Sequence, residues 1–419
     1  MSQWLQQVID RGQAIDDWLS PVREQALESL RQTNWPNRRV EAWKYTSLVP
    51  LEQLTLSSDS TKTSTDIADI EGLNSLDLIF VDGELQSDIT AMTLPEGLHI
   101  SSLRDAADEQ KTTAKALFSQ IKPQRHLFGL VNDVLAEDGV IIDIDADSHI
   151  ERPVRITNLS TQGQESHHRV LVRLGNRSSV TVIEQGQGEQ ASLSTGFAEY
   201  DIGEHAQLEH YRMAMHTHKA IHIGGCHFSL QEQARLNSTL VGYGSQLSRV
   251  DVDIIHNGEH AKAKFNAIYL LGESEHFDLH STIEHAVPNG TTEENARGIV
   301  GDKAKAVFNG RIHIHRDAQK TLAELNNRNL LLSRRGQINT KPELEIYADD
   351  VQCAHGATVA EIEEEALYYL RSRGISRSQA LVMLNFGFIQ ELVNQMPNQA
   401  LAHWLQPKLQ ARFAEMEVK

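Results

Sequence analysis

The feature that most constrains this chain is a short phrase that returns. Gly175-Asn176-Arg177-Ser178-Ser179-Val180 is followed by Gly203-Glu204-His205-Ala206-Gln207-Leu208, by Gln231-Glu232-Gln233-Ala234-Arg235-Leu236 and by Gly258-Glu259-His260-Ala261-Lys262-Ala263. These start 28, 28 and 27 residues apart, and a fifth version, Gly301-Asp302-Lys303-Ala304-Lys305-Ala306, follows after 43. Each reads as a tight turn, a small residue in a fixed slot, and the start of a strand. Self-similarity near this period marks stacked units that bury their apolar faces only against one another. The segments between alternate apolar and polar residues, as in Val250-Asp251-Val252-Asp253-Ile254, Arg311-Ile312-His313-Ile314-His315 and Leu344-Glu345-Ile346-Tyr347, so each buries one face. No helical pattern separates them. The expected fold is therefore mainly β, a parallel β-helix rather than a doubly wound sheet. Ala206, Ala234 and Ala261 should fill equivalent slots on strands stacked about 4.8 Å apart. The longer last gap predicts an enlarged turn at Pro288-Asn289-Gly290-Thr291-Thr292.

Helices are expected on either side. Residues 1–138 read as an N-terminal helical and mixed region. Trp4, Leu5, Val8 and Ile9 recur at helical spacing, Ser20-Pro21 is a helix-start signal, and residues 57–66 are a polar connector. Trp35, Trp43 and Tyr45 stand among Arg38, Arg39 and Lys44, a group that predicts packing of rings on cation stems. The β-helix is expected over 139–359 and a C-terminal helical domain over 360–419. There Gly374 reads as a C′ glycine, Ser376 as an N-cap, and Ala380, Leu381, Leu384, Phe388 and Leu392 as an apolar stripe.

Composition narrows the function. In 419 residues the formal charge is −18, which argues against nucleic acid or an anionic membrane as partner. Two cysteines fit a reducing compartment rather than a disulfide scaffold. Met1-Ser2-Gln3-Trp4-Leu5 lacks the basic and apolar regions of a signal peptide, and no apolar run is long enough to span a membrane, so the expected location is cytoplasmic. P-loop, G-x-S-x-G, H-E-x-x-H and paired C-x-x-C signatures are absent.

Metal-binding residue types remain. In Asp349-Asp350-Val351-Gln352-Cys353-Ala354-His355-Gly356-Ala357-Thr358-Val359, an extended backbone puts Cys353 and His355 on one face about 7 Å apart. A thiolate and an imidazole at that spacing can share a soft or borderline metal, but two ligands leave a tetrahedral site open. Taken alone, the pair reads first as packing and turn residues, since free Cys is among the most buried residue types. His216 with His218 and His313 with His315 form H-x-H pairs, though most of the 20 histidines read as solvated turn or face residues. Cys226 reads as a buried strand residue.

Longer motifs carry a resemblance. They are His280-Ser281-Thr282-Ile283-Glu284-His285, Val307-Phe308-Asn309-Gly310, Ala318-Gln319-Lys320-Thr321, Asn329-Leu330-Leu331-Leu332-Ser333, Lys341-Pro342-Glu343-Leu344-Glu345-Ile346, Asp349 to Val359, and Tyr369-Leu370-Arg371-Ser372-Arg373-Gly374-Ile375. Together they resemble the SufB/SufD family, scaffold subunits of the SUF iron–sulfur cluster assembly machinery. Arg39 to Leu48, and the lack of a cysteine-rich N-terminal segment, lean to the SufD side. The resemblance implies a right-handed parallel β-helix and a non-catalytic scaffold. It implies a heterodimer with SufB, a homodimer being open to the isolated chain, and a C-terminal region that docks the ATPase SufC. His355, with Cys353 beside it, is implied as a ligand to a transient iron–sulfur cluster shared with SufB and not held stably by this chain alone. Leu344, Ile346 and Val351 are expected to meet SufB along a final strand from Leu344 to Gln352. Leu367, Tyr368, Leu370, Leu381, Leu384, Phe388 and Leu392 are expected to meet SufC. A stand-alone histidine-rich metal-binding protein and a β-helix carbohydrate-active enzyme are the competing readings.

Overall fold

The structure is a computed structural model that describes residues 2–56, 67–361 and 364–416. Among these, strands alternate between two sheets, so that each coil contributes one strand to each. The first sheet runs from Leu76–Val81 through Val154–Leu159, Ser179–Gly188, Gln207–His216, Arg235–Tyr243, Lys262–Leu271, Thr291–Val300 and Leu322–Leu331 to Gln352–Glu361. The second runs from Asp138–Ile144 through Glu165–Leu174, Ser192–Ile202, Ala220–Leu230, Leu247–His256, His276–His285 and Lys305–Ile314 to Gln337–Ile346. All these neighbours pair in parallel, as the repeat predicts.

The repeated phrase is the turn that carries the chain from the second sheet to the first. Its third residue takes a left-handed backbone: Arg177, His205, Gln233 and His260 have φ of 59°, 57°, 53° and 59°. Its fourth residue offers a carbonyl to the next coil. The N–H of Gln207 donates to Ser178, that of Arg235 to Ala206 and that of Lys262 to Ala234, each at 2.9 Å, and Thr291 donates to Ala261 at 3.0 Å. Ala206, Ala234 and Ala261 therefore occupy equivalent slots, all fully buried. Two expectations are corrected. The turn before Thr291 is an ordinary rung of this ladder, with Asn289 left-handed at φ 63° and Gly290 in the alanine slot. Glycine is required there because a Cβ would sit 2.4 Å from Nδ1 of His285. The Gly301 phrase lies on the opposite edge, leading from the first sheet into the second. The gap of 43 therefore spans a coil and a half, since either edge poses the same turn problem and meets it with the same residues.

Helices cover both outer faces. Leu5, Val8, Leu27, Leu30, Phe128 and Val131 pack on Leu193, Phe197, Ile221 and Ile223 of the second sheet. Leu367, Phe386, Ile389, Leu392, Leu405 and Phe413 pack on Tyr211, Met213, Val241, Ile268 and Leu270 of the first. In the aromatic and cationic group near the N-terminus the two tryptophans pack, but Trp43 lies under the Arg249 guanidinium of the β-helix at 4.1 Å and Trp35 against Trp4, while Arg38, Arg39, Lys44 and Tyr45 are exposed. The region before residue 139 also supplies strands, Leu76–Val81 in parallel and Leu98–Ser102 antiparallel on Asp138–Ile144.

The interior between the sheets is mainly apolar, with polar side chains set into it, some hydrogen-bonded and others, such as the His216 and His222 rings, stacked without a hydrogen-bond partner among the described residues. In one network the Glu184 carboxylate accepts from Tyr200 Oη at 2.8 Å, from His210 Nε2 at 3.0 Å and from Arg212, all within the solenoid. A buried charge is retained only when paired in this way.

The candidate metal-donor site at the open end of the solenoid

The last coil of the β-helix ends in a strand of its own beyond Ile346. Asp349 and Asp350 lie in a turn, and a further strand, Gln352–Glu361, adds a last rung to the first sheet. The expected final strand from Leu344 to Gln352 is thus replaced by two pieces. Leu344 to Ile346 end the strand Gln337–Ile346, and a turn leads into Gln352–Glu361. The alternation weakens here because the last rung has no coil beyond it to demand apolar residues.

Register places the two donors. Cys353 lies opposite Ala323, and His355 opposite Leu325. Ala323 and Leu325 are fully buried and face the interior, and side chains of paired residues on parallel strands point the same way. Cys353 and His355 are therefore adjacent members of one inward face. Among the described residues no strand covers that rung, so His355 is exposed while Cys353 is half-buried against the core. Burial pushes the Cys353 thiol pKa up, offset in part by a backbone hydrogen bond at Ala323, so the protonated thiol is the favoured form. Two rungs below His355 in the same column is Glu294, fully buried. Its carboxyl pKa is raised to about 7 by burial, against a 2.5 Å hydrogen bond from Ser281.

Around the donors the end is sticky. Among the described residues Gln352–Glu361 and Gln337–Ile346 each pair on one side only, leaving backbone groups on two open edges. Ile346, Tyr347 and Val359 are exposed apolar side chains there, while Leu344 and Val351 rest partly buried on the core. Tyr347 and Val359 were missed as members of this surface. Val359 shares the parity of Cys353 and His355, a signal that extending the strand would have exposed.

The other expected residues divide. Leu367 and Leu392 are buried in the chain's own core against the first sheet, and Leu370 and Phe388 are partly buried there. Tyr368 and Leu384 face out, together with Tyr369 and Met383. The side chain of Leu381 lies outside the described residues. The histidines depart furthest from expectation. His168, His210, His216, His222, His256 and His285 are buried in the solenoid rather than solvated, and burial lowers the pKa of each. Of the first H-x-H pair, His216 stacks at 4.3 Å on His222 inside, while His218 sits in a left-handed turn, so that pair shares no ligand face. His205 and His260 are turn residues as expected, and Cys226 is a fully buried strand residue.

Fold and site together define a class: a two-sided parallel β-solenoid clamped by helices, ending in an open rung that presents a thiol and an imidazole. Residues 156–388 match the SUF system FeS cluster assembly SufBD core domain, and residues 5–156 match the SufBD protein N-terminal region. The chain belongs to the SufBD family of the SUF iron–sulfur cluster assembly system. It is 29% identical over 391 residues to the iron–sulfur cluster assembly protein SufD of Escherichia coli, covering 91% of this chain and 90% of that one. It is 29% identical over 401 residues to a SufBD family protein of Synechocystis, covering 91% and 88%. Similarity to the SufB of Bacillus subtilis is 23% over 281 residues, covering 66% and 60%. Among the described residues no helix is long and apolar enough to cross a membrane.

Proposed function

We propose that this chain is the SufD-like scaffold of a SUF assembly complex, and that its open end pairs with a SufB partner to complete a site for a nascent iron–sulfur cluster. The observation that carries this is the last rung, where Cys353 and His355 face an interior that no further coil closes. Two donors leave a tetrahedral metal half-liganded, so the isolated chain holds no cluster stably, and the remaining donors come from the partner. The two open edges, with Ile346, Tyr347 and Val359, offer both backbone pairing and apolar area for it. In this reading the cluster is cargo, and the chain itself performs no catalysis. The SufC ATPase docks on the C-terminal helices through Tyr368, Tyr369, Met383 and Leu384, the apolar side chains that the chain's own core leaves free.

Pairing is tested by co-expressing the full chain with its SufB partner and substituting Ile346→Asp together with Val359→Asp. Both are solvent-exposed, so the chain should keep its secondary structure while co-purification falls at least tenfold. Undiminished co-purification refutes the use of this end.

A further inference from the structure

The second H-x-H pair has no part in that function. His313 lies on the strand Lys305–Ile314 and His315 immediately follows it. Ile312 and Ile314, which alternate with them, are fully buried, so both imidazoles face outward. The solenoid register then adds carboxylates: Glu284 lies opposite His313 on one neighbouring strand and Glu345 opposite it on the other. Such rungs are about 4.8 Å apart.

We propose that Glu284, His313 and His315, with Glu345 beside them, form a binding site for one divalent transition-metal ion on the outer face of the second sheet. One donor atom from each of Glu284, His313 and His315 lies within 4.8 Å of the other two, and the two rings are 4.6 Å apart. Oε1 of Glu284 is 2.5 Å from Nε2 of His315, and Oε2 of Glu345 is 2.9 Å from Nδ1 of His313. The Arg311 guanidinium pairs with Glu345 and holds that carboxylate on the imidazole. Metal–nitrogen bonds of about 2.0–2.1 Å need only small rotations of side chains that are all partly exposed. Two imidazoles with carboxylates suit Zn²⁺, Co²⁺ or Fe²⁺ and disfavour Ca²⁺ and Mg²⁺, which take all-oxygen shells. The site differs in chemistry from the solenoid end, which offers a thiol, and its existence does not depend on the assembly reading.

The test uses the full chain, stripped of metal and titrated with Co²⁺ and with Zn²⁺, following binding by calorimetry and Co²⁺ coordination by its visible absorption. Expected is one equivalent bound with a four-coordinate Co²⁺ spectrum. Affinity should fall roughly 100-fold in His313→Ala/His315→Ala and about tenfold or more in Glu345→Gln. Circular dichroism should be unchanged in both. Cys353→Ala/His355→Ala should bind as the parent does. A parent that binds no stoichiometric metal, unaltered affinity in the His313→Ala/His315→Ala chain, or loss of binding in the Cys353→Ala/His355→Ala chain overturns the proposal.

Discussion

Replacing Glu184 by glutamine removes one negative charge from the middle of the solenoid and changes little else in volume. In the parent, burial alone would raise the Glu184 pKa. The Arg212 charge and the hydrogen bonds from His210 and Tyr200 outweigh that and hold it at about 2. Glutamine leaves the Arg212 guanidinium buried with neutral acceptors alone, its own amide oxygen and the carbonyl of Gly196 at 2.9 Å, and with no counter-charge. Removing one partner of a buried ion pair costs about 3–5 kcal/mol. Linkage gives a second figure. The folded pKa lies below the ordinary 4.5, so the stabilisation is present above pH 4.5 and is lost as pH falls toward 2. At about 1.4 kcal/mol per pKa unit this amounts to about 3 kcal/mol, in line with the first. Guanidinium unfolding followed by circular dichroism at pH 7 should show the single variant destabilised by about 3–5 kcal/mol. Between pH 5 and 2 the parent should lose about 3 kcal/mol more than the variant. Glu184→Gln with Arg212→Met should recover much of the loss, because apolar replacement of a whole buried pair is often near neutral. A single variant within about 1 kcal/mol of the parent refutes the argument that the network is needed to keep Arg212 inside.

Glu294 runs the other way. Its folded pKa of about 7 exceeds the ordinary 4.5, so its contribution is present below pH 4.5 and lost as pH rises through 7. Glu294→Gln should therefore be more stable than the parent at pH 8 by up to about 3 kcal/mol and similar at pH 4, as thermal melts at the two values would show. On the C-terminal helices, Tyr368→Asp with Leu384→Asp should abolish SufC capture by the full chain while leaving its melting temperature within a few degrees. Leu392→Asp, inside the core, should unfold the helical cover instead. Normal capture by the Tyr368/Leu384 chain removes that surface from the docking reading.

The solenoid was legible because its turns repeat a chemical solution, a left-handed third residue followed by a small one, and that solution is written in Gly-x-x-Ala. The same phrase hid which edge it served. Gly301 looked like the next member of one ladder and is a member of the other, while Asn289-Gly290 fills the expected rung without resembling it. At the last rung the alternation fades because nothing packs beyond it, so Cys353 to Val359 looked like the end of the β region rather than its exposed lip. That Cys353 and His355 share a face followed from period two alone, whereas its inward direction came from the pairing with Ala323 and Leu325. Their shared openness to a partner did not, since it depends on the absence of a covering coil. The helical stripe was read correctly as apolar, but an apolar stripe does not say what it faces. Leu367 and Leu392 meet Tyr211 and Ile268, far away in sequence, rather than another chain. The buried histidines were misread for a related reason: an imidazole inside a solenoid is stabilised by stacking and by carboxylates on neighbouring coils, as His210 is by Glu184, and neither is visible locally.

The most direct test of the central claim is the iron and acid-labile sulfide content of the assembled complex, isolated anaerobically from cells carrying either the parent chain or His355→Ala. His355 is exposed on the last rung, so its loss should leave the fold and the partner complex intact. The account predicts that iron and sulfide per complex drop at least severalfold in the variant, with a smaller fall in Cys353→Ala, whose thiol is half-packed against the core. Parental iron and sulfide in the His355→Ala complex would contradict it and leave the open end a purely architectural surface.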